Sequence, residues 1–174
     1  MHAPQILLVD DDPALLQALP HMLALHLHGV HVETAHSAIE ALQRMQVQDY
    51  DTIISDITMP GMDGLDLLAH IREIQPETPT ILITGQVDPR FLIQAMEQGA
   101  YDFLQKPLDR FSLVVALHRA MQTRQLRRQV QEQQHLLLSS PRLLEHLGER
   151  HQDSALSSAD PRPSSPFQPP AWLI

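Results

Sequence analysis

Five short runs that contain Val, Ile, Leu or Phe recur along the first two thirds of the chain, each bounded by charged or turn-forming residues. The runs are Gln5–Val9, His31–Ala35, Thr52–Asp56, Thr80–Thr84 and Asp102–Gln105. Runs of this length are typical of buried strands. Each is followed by a stretch whose apolar residues recur three and four positions apart, as in a helix. The alternation predicts an α/β fold with a five-stranded parallel sheet and helices on both faces.

Capping residues mark where the first two predicted helices begin and end. Asp12 and Pro13 suit the N-cap and the first position of the first helix, and Gly29 suits its end. Ser37 is placed to open the second helix. Pro20 falls inside the first helix, where its missing N–H predicts a kink.

The apolar residues of the next three helices predict which helix faces turn toward the sheet. They are Ile39, Leu42 and Met45 in the second helix, Leu65, Leu68, Ile71 and Ile74 in the third, and Leu92, Ile93 and Met96 in the fourth. Because an amphipathic helix buries its apolar stripe, we expect these residues to mark the inner faces.

Beyond Met121 the helical pattern continues, but its apolar face thins. Leu126, Val130 and Leu137 stand among many glutamines. Scarcely two heptads are present, which favours a solvated helical extension over a dimerisation stalk. From Asp153 onward Ser, Pro, Gln and Ala dominate, which is typical of disorder. We therefore expect a folded domain over 1–121, a helical extension over 122–150 and a Pro/Ser-rich disordered tail over 151–174.

Composition narrows the class of protein. With 174 residues, 43% of them hydrophobic, the chain has material for one core, and its 14 prolines indicate segments outside that core. The absence of cysteine excludes disulfides and thiolate zinc sites and favours the cytoplasm. No apolar leader opens the sequence, and no run reaches the roughly 18 apolar residues that span a bilayer. We expect a cytoplasmic protein without a membrane partner.

Charge is distributed unevenly along the chain. The net charge is -9, and residues 1–121 carry 6 Lys and Arg against 16 Asp and Glu. An acidic domain repels nucleic acid, so we expect this part of the chain not to bind it directly. Lys106 is the single lysine among the 12 basic residues.

Four of the predicted strands end in residues whose side chains can react or bind a ligand. Asp10 and Asp11 follow the first strand, Asp56 ends the third, Thr84 ends the fourth and Lys106 follows the fifth. The carboxyl ends of parallel strands share one edge of the sheet, so these side chains are expected to form one site there. Each has a plain structural alternative: an Asp that caps a turn, a β-branched strand end, or a lysine in an ion pair. Because all of these residues occur together at strand ends, a reactive or ligand-binding site is favoured over the structural alternatives.

The crowded carboxylates predict a cation. Asp10, Asp11 and Asp56 repel one another unless a hard ion neutralises them, and oxygen ligands suit Mg²⁺ or Mn²⁺. A carboxylate can also act as a nucleophile toward phosphorus, in which case an ammonium and a hydroxyl stabilise the transferred group. Lys106 and Thr84 have the chemistry for those two roles.

At these positions the chain closely resembles the receiver domains of response regulators, the two-component signalling proteins of bacteria. The motifs that carry the resemblance are LVDD at 8–11, Asp56 followed by MPGMDG at 59–64, Thr84-Gly85, and Lys106-Pro107. They occur in the order that the family shows and spread over residues 5–121, which makes the combination highly specific.

The resemblance implies a phosphoacceptor and its metal ligands. Asp56 would accept a phosphoryl group from a sensor histidine kinase or phosphotransfer protein, in a Mg²⁺-dependent reaction. The metal would be bound by Asp56, by Asp11 directly, by Asp10 directly or through water, and by the backbone carbonyl of Thr58. The chain would then be a signalling domain rather than an enzyme, although small phosphodonors and autodephosphorylation are compatible with it.

The resemblance also implies a switch and a fold. Thr84 and Lys106 would contact the phosphoryl group, Phe103 would be the aromatic switch, and the Lys106-Pro107 peptide would be cis. Lys106 would pair with Asp56 before phosphorylation. The fold would be flavodoxin-like and doubly wound, with strand order 2-1-3-4-5. Phosphorylation would alter an interaction surface, which would then bind a second copy of the chain to form a homodimer or bind an output partner of unknown identity.

Other interpretations are left open by the sequence. Haloacid-dehalogenase-like phosphatases also use a strand-ending aspartate with Mg²⁺, and Asp10-x-Asp12 is similar to their opening, but Ala14 stands where Thr or Val is expected. The chain can also be the N-terminal part of a larger response regulator with a transcriptional or enzymatic output domain. A histidine-rich stretch makes metal binding there a minor alternative to surface exposure; its residues are His21, His26, His28, His31 and His36.

Overall fold

The computed structural model describes residues 3–85 and 88–139. Within them, five strands form a single parallel sheet: β1 (Gln5–Val9), β2 (His31–Ala35), β3 (Thr52–Asp56), β4 (Thr80–Thr84) and β5 (Asp102–Gln105). Their order across the sheet is β2-β1-β3-β4-β5. The predicted strand ranges and the flavodoxin-like order 2-1-3-4-5 are therefore confirmed.

A helix follows each strand: α1 (Pro13–His26), α2 (Ala38–Met45), α3 (Gly64–Ile74), α4 (Pro89–Glu97) and α5 (Arg110–Leu138). The predicted N-caps are present, since the Asp12 side chain accepts from Ala14 N and that of Ser37 from Glu40 N, but α1 ends before Gly29, with Leu27 as its C-cap. α1 continues through Pro20 to His26, and the kink stays a prediction.

The two faces of the sheet bury alternate residues of the same strands. Ile6 and Leu8 of β1 pack in a cluster with α1 and α5, whereas Leu7 and Val9 pack in a second cluster with α2 and α3. Successive side chains of a strand point to opposite faces, so a strand that is apolar throughout is covered on both sides. This double burial holds the strand ends rigidly at the sheet edge.

The predicted inner faces of α2 and α3 are confirmed at most of their residues, but one residue of each helix is exposed instead of buried. Ile39 of α2 and Ile74 of α3 are 61% and 43% exposed. Small residues replace Ile39 at the inner surface of α2, where Ala38 and Ala41 are buried. Alanine allows a helix to approach the sheet closely, and the apolar spacing of the sequence does not distinguish this row from the neighbouring one.

The apolar face of α4 is also turned outward. Leu92, Ile93 and Met96 are all exposed, and Ala95 is the buried residue of this helix. Phe91 is partly buried against the core. α4 therefore carries an apolar surface that its own fold does not cover.

α5 extends past the end of the core. A compact unit reaches to Val130, and within it Leu126 and Val130 are exposed, consistent with a solvated extension. In the second unit, the described residues 131–139 continue the helix to Leu138. The rest of the predicted 122–150 extension and the 151–174 tail lie outside the described residues. The domain boundary at 121 stays a prediction.

Among the residues that the structure describes, no helix is both long and apolar enough to cross a membrane.

Candidate functional site

The strand register brings the predicted site residues to one edge of the sheet. Val9 lies beside Ser55, so Asp10 and Asp56 follow on adjacent strands. Thr84 lies beside Gln105, and the backbone N–H of Lys106 donates to the Thr84 carbonyl at 2.7 Å. Four separate strand ends therefore contribute to one cluster, as expected for the carboxyl edge of a parallel sheet.

Lys106 bridges two carboxylates in this cluster. Its Nζ lies 2.9 Å from Asp10 Oδ2 and 3.2 Å from Asp56 Oδ2. Burial alone would lower the pKa of Lys106, but the hydrogen bonds and charges of Asp10 and Asp56 together hold this pKa above its ordinary value. Lys106 is therefore protonated and is shared between the carboxylates of Asp10 and Asp56. Lys106 therefore lies closer to Asp10 than to Asp56, the acid with which it is predicted to pair.

Asp56 is buried, and only one of its two carboxylate oxygens has a hydrogen-bond partner among the described residues. Its residue exposure is 4%, and its Oδ1 has no hydrogen-bond partner among the described residues. Burial raises the pKa of Asp56, the nearby Asp10 charge raises it further, and Lys106 and the backbone N–H of Thr58 oppose the rise. An unpartnered buried carboxylate oxygen is costly, which points to a missing electrophile or cation at this position.

The acidic residues converge as the sequence predicts. Asp10, Asp11 and Asp56 each offer an oxygen within 4.8 Å of the others; Asp11 is exposed and the other two are buried. The second oxygen of Asp10 accepts from the Asp12 N–H at 2.8 Å. Three hard oxygen donors, one of them with a buried oxygen that lacks a partner, fit a divalent cation of the Mg²⁺ type.

The loop after Asp56 folds back onto it through two glycines. Gly61 has a φ of +80°, a conformation that favours glycine. The N–H of Gly64 donates to the Ile57 carbonyl at 2.9 Å. A Cβ at position 64 would overlap the Asp56 carbonyl oxygen and would lie 2.7 Å from Ile57 Cα. The close approach of Gly64 to the Asp56 backbone is a site feature that the sequence prediction does not include. A glycine at the first position of α3 is the signal in the sequence that could have indicated it.

The predicted switch residues lie on neighbouring strands. Thr84 is buried at the end of β4, and Phe103 of β5 lies beside Leu82 and is partly buried against the core cluster that contains Ile57 and Leu65. The Lys106-Pro107 peptide is cis, as the resemblance implies. Phe103 also lines a cavity of about 150 Å³ together with residues of the β5–α5 segment.

The histidine-rich stretch does not form a second cation site within residues 3–85 and 88–139, where the only group with suitable ligand spacing is the aspartate cluster. The Nδ1 of His21 and that of His26 instead lie 3.1 and 2.8 Å from carbonyl oxygens one turn earlier in α1. These histidines are solvent-facing, as their interpretation as surface residues requires.

Comparison with known proteins places this geometry in a family. Residues 6–118 match the response regulator receiver domain. The chain is 44% identical over 123 residues to the C4-dicarboxylate transport transcriptional regulatory protein DctD of Pseudomonas aeruginosa, a match that covers 70% of this chain and 26% of DctD. It is 39% identical to the transcriptional regulatory protein GlrR of Escherichia coli, covering 70% and 27%. The chain thus spans about a quarter of the length of these relatives.

Solved structures agree with the sequence matches. A response regulator receiver domain protein from Clostridium thermocellum is 33% identical, with a TM-score of 0.66, over 71% of this chain and 98% of that one. The signal receiver domain of an HD domain-containing protein from Pseudomonas fluorescens is 35% identical, with a TM-score of 0.69, over 74% and 94%. These matches favour the receiver over the haloacid-dehalogenase alternative. The chain belongs to the response regulator receiver domain family.

Proposed function

We propose that Asp56 is the phosphoacceptor of this receiver domain and that a sensor histidine kinase or a phosphotransfer protein is the donor. The observation that carries the proposal concerns the two oxygens of Asp56: Oδ1 is buried without a hydrogen-bond partner among the described residues, and Oδ2 lies 3.2 Å from the Lys106 ammonium. One oxygen is left to react while the other is held in place.

The reaction moves a phosphoryl group from the donor to Asp56. The bond between phosphorus and the donor atom breaks as a bond forms between phosphorus and a carboxylate oxygen of Asp56. Lys106 is close enough to neutralise charge on the transferred group, and the buried Thr84 hydroxyl, at the end of the next strand, is assigned the remaining contact. Fixed donors aimed at developing charge need little rearrangement during transfer.

The cation is assigned to the three aspartates. Asp11 and Asp56 would bind it directly, Asp10 directly or through water, and the Thr58 carbonyl would complete the protein ligands. A bound Mg²⁺ would neutralise charge that builds up on the phosphoryl oxygens. Because Asp10 already shares its Oδ2 with Lys106, it is the aspartate best suited to a water-mediated role.

Phosphorylation is proposed to act on the surface formed by α4, β5 and the start of α5. Thr84 and Phe103 lie on adjacent strands, and a shift of Thr84 toward the phosphoryl group changes the space available to the ring. The exposed side chains of Leu92, Ile93 and Met96 give this surface an apolar character. Such a surface fits a phosphorylation-dependent homodimer or an output partner.

The output is proposed to be transcriptional control exercised by a larger regulator. DctD and GlrR are both named as transcriptional regulatory proteins, and each is about four times as long as the matched segment. A cytoplasmic receiver that accepts a phosphoryl group from a kinase would fit this role.

Labelling with a small phosphodonor tests the proposal. The full chain is incubated with acetyl phosphate and Mg²⁺ and weighed by intact-mass spectrometry. Wild type and Asp66→Asn, which removes an exposed aspartate of α3, are expected to gain one phosphoryl group. Asp56→Asn is expected to gain none. Equal labelling of all three proteins would refute the assignment of Asp56.

A further inference from the structure

The inward face of α5 changes from apolar to charged along its length. Leu113, Leu117 and Ala120 are buried against the sheet. The next inward position is occupied by Arg124, which is only 7% exposed, and one turn further Arg128 is partly buried. Residues 122–130 of α5 bury no aliphatic or aromatic side chain. Their attachment to the body must therefore come from polar contacts.

Asp51 provides the best-formed of these contacts. Arg128 Nη1 lies 2.6 Å from Asp51 Oδ1. The other oxygen, Oδ2, accepts from the backbone N–H of Gln5 at 2.8 Å, and the Asp51 N–H donates to the Gln5 carbonyl at 2.7 Å. Asp51 therefore joins α5 to the amino ends of the two central strands, β1 and β3. The Asp51 side chain is 14% exposed, so water screens this pair only partly.

Two further arginines add to this contact. Arg127 Nη1 lies 3.5 Å from Glu77 Oε2 and 3.4 Å from the Glu77 carbonyl, in a more exposed pair that contributes less. Arg124 Nε has no hydrogen-bond partner in the described structure. Burial lowers the pKa of Arg124, Arg128 lowers it further, and three acids oppose the change: Asp49, Asp51 and Glu77. The charges of these acids therefore offset part of the cost of burying the Arg124 guanidinium.

A cavity separates the helix from the body beside these contacts. It measures about 770 Å³ and lies between Met121, Gln122 and Gln125 of α5 on one side and Pro4 and Gly29 on the other. Met121 is partly buried against the core, and Thr123 Oγ1 lies 3.0 Å from Tyr101 OH. Beyond Thr123, arginines make the polar contacts of α5 with the body in the described structure.

We propose that Arg124, Arg127 and Arg128 form an ionic latch with Asp49, Asp51 and Glu77, and that this latch docks residues 121–130 of α5 on the amino edge of the sheet. Asp51 acts as its positioning residue. Lys106 and Arg128 then hold the same strand, β3, at its two ends, one beside Asp56 and the other at Asp51. Residues 110–120 stay docked by apolar packing, whereas the docking of 121–130 depends mainly on charge, to which Met121 and Thr123 add neutral contacts. The latch does not require phosphorylation.

Hydrogen exchange of the full chain, resolved by peptide mass spectrometry, tests the latch. Asp51→Asn keeps an acceptor for the Gln5 N–H but removes the charge that faces Arg128, and Arg128→Gln removes the other partner. Both are expected to speed exchange in 121–130 by about 10-fold while the strands and 110–120 keep their protection. Raising the salt concentration of wild type to about 0.5 M should speed the same peptide.

Two matched variants test whether loss of the charge, rather than any substitution in α5, causes the faster exchange. Arg119→Gln removes an exposed α5 arginine for which no ion pair is seen among the described residues, and it should leave exchange in 121–130 unchanged. Arg128→Lys keeps the positive charge and should stay closer to wild type than Arg128→Gln. Unchanged exchange in Asp51→Asn and Arg128→Gln, or equal acceleration by Arg128→Lys and Arg128→Gln, would overturn the proposal.

Discussion

The Lys106 ammonium lies 3.2 Å from Asp56 Oδ2, and the Oδ1 of the same carboxylate has no hydrogen-bond partner among the described residues. Lys106 is also held by Asp10 at 2.9 Å. It therefore has an anchor that does not depend on Asp56, and it can exchange the Asp56 contact for a phosphoryl oxygen without losing its place. This arrangement makes Lys106 the link between the acceptor and the β5–α5 segment.

Replacing the Lys106 ammonium should separate phosphorylation from its structural response. Lys106 is the only lysine in the chain, so amine-directed acetylation reaches this side chain and the N-terminal amine alone. Acetylation removes the charge, and Lys106→Arg substitutes a larger planar fork that cannot occupy the same two-carboxylate position. Asp56 should still accept some label in both proteins, whereas the changes around Phe103 should be suppressed.

NMR shifts of the Phe103 ring and nearby amides, with and without beryllium fluoride, measure that response. Wild-type protein acetylated only at its N-terminus serves as the control and should show the full shift changes. Full shift changes in the Lys106-modified protein would show that Thr84 carries the coupling without this lysine.

Removing one acid should stabilise the metal-free protein at neutral pH. Two carboxylates about 5 Å apart at an effective dielectric of 20 repel by about 3 kcal/mol at most, and Lys106 offsets part of this. We expect Asp56→Asn and Asp11→Asn to raise the free energy of unfolding in chelator by about 1 to 2 kcal/mol. Mg²⁺ should raise the melting temperature of wild type more than that of either variant. Melting temperatures in chelator at or below wild type for both variants would contradict the repulsion.

The stability difference for Asp56 should depend on pH with a defined sign. Burial raises the pKa of Asp56, so the folded state binds this proton more tightly than the unfolded state. The resulting stability is fully present below the unfolded value near 3.8 and is lost as the pH rises through the higher folded pKa. The advantage of Asp56→Asn over wild type in chelator should therefore shrink as the pH falls from 7 through that window. Thermal melts measure this stability difference at each pH. A difference that stays constant across the window would exclude a raised pKa at Asp56.

A methyl group at position 64 should disturb the acceptor loop. The Cβ of Gly64→Ala would overlap the carbonyl oxygen of Asp56, so the loop must shift, at a cost of about 2 kcal/mol in folding stability. Gly85→Ala is the control for stability because a Cβ there has no neighbour within 4 Å, and its φ is not positive. Thermal unfolding should distinguish the two, and Gly64→Ala should also label more slowly with acetyl phosphate. Equal melting temperatures for the two variants would show that the loop accommodates the methyl group.

A charge on the outer face of α4 should weaken phosphorylation-dependent association. Ile93 is 57% exposed, so Ile93→Glu should leave the fold intact while it disrupts the proposed apolar surface. Ile39→Glu is the matched control on α2, where the side chain is 61% exposed. Sedimentation with beryllium fluoride should show a raised dimer fraction for wild type and Ile39→Glu, and a lower one for Ile93→Glu. The same dimer fraction in Ile93→Glu as in wild type would remove this face of α4 from the interface.

The strands and their polar ends were predictable because buried parallel strands carry a strong local signal. β1, β3 and β4 each carry consecutive buried aliphatic residues, and Asp56 and Thr84 are the last residues of β3 and β4. The inward faces of the helices were harder to predict. Ile39 and Ile74 are exposed because alanines and other apolar rows make the contact, and three-residue and four-residue spacings fit more than one row.

Contacts between distant residues were least accessible to the sequence reasoning. The contact of Lys106 with Asp10 depends on the positions of two side chains 96 residues apart. Arg124 and Arg128 belong to a stretch of α5 with the composition of a solvated helix, yet both turn toward the body. A signal was present, since Arg124 continues the inward spacing of Leu117 and Ala120, but the acids that face it come from other segments of the chain.

Chemical mapping of the phosphorylated residue tests the central claim most directly. After labelling with acetyl phosphate and Mg²⁺, borohydride reduction converts an aspartyl phosphate to homoserine, which peptide mass spectrometry locates in the sequence. The account predicts homoserine at position 56 and at none of the neighbouring acids Asp10, Asp11 and Asp63. Homoserine at one of those acids, with position 56 unchanged, would contradict it.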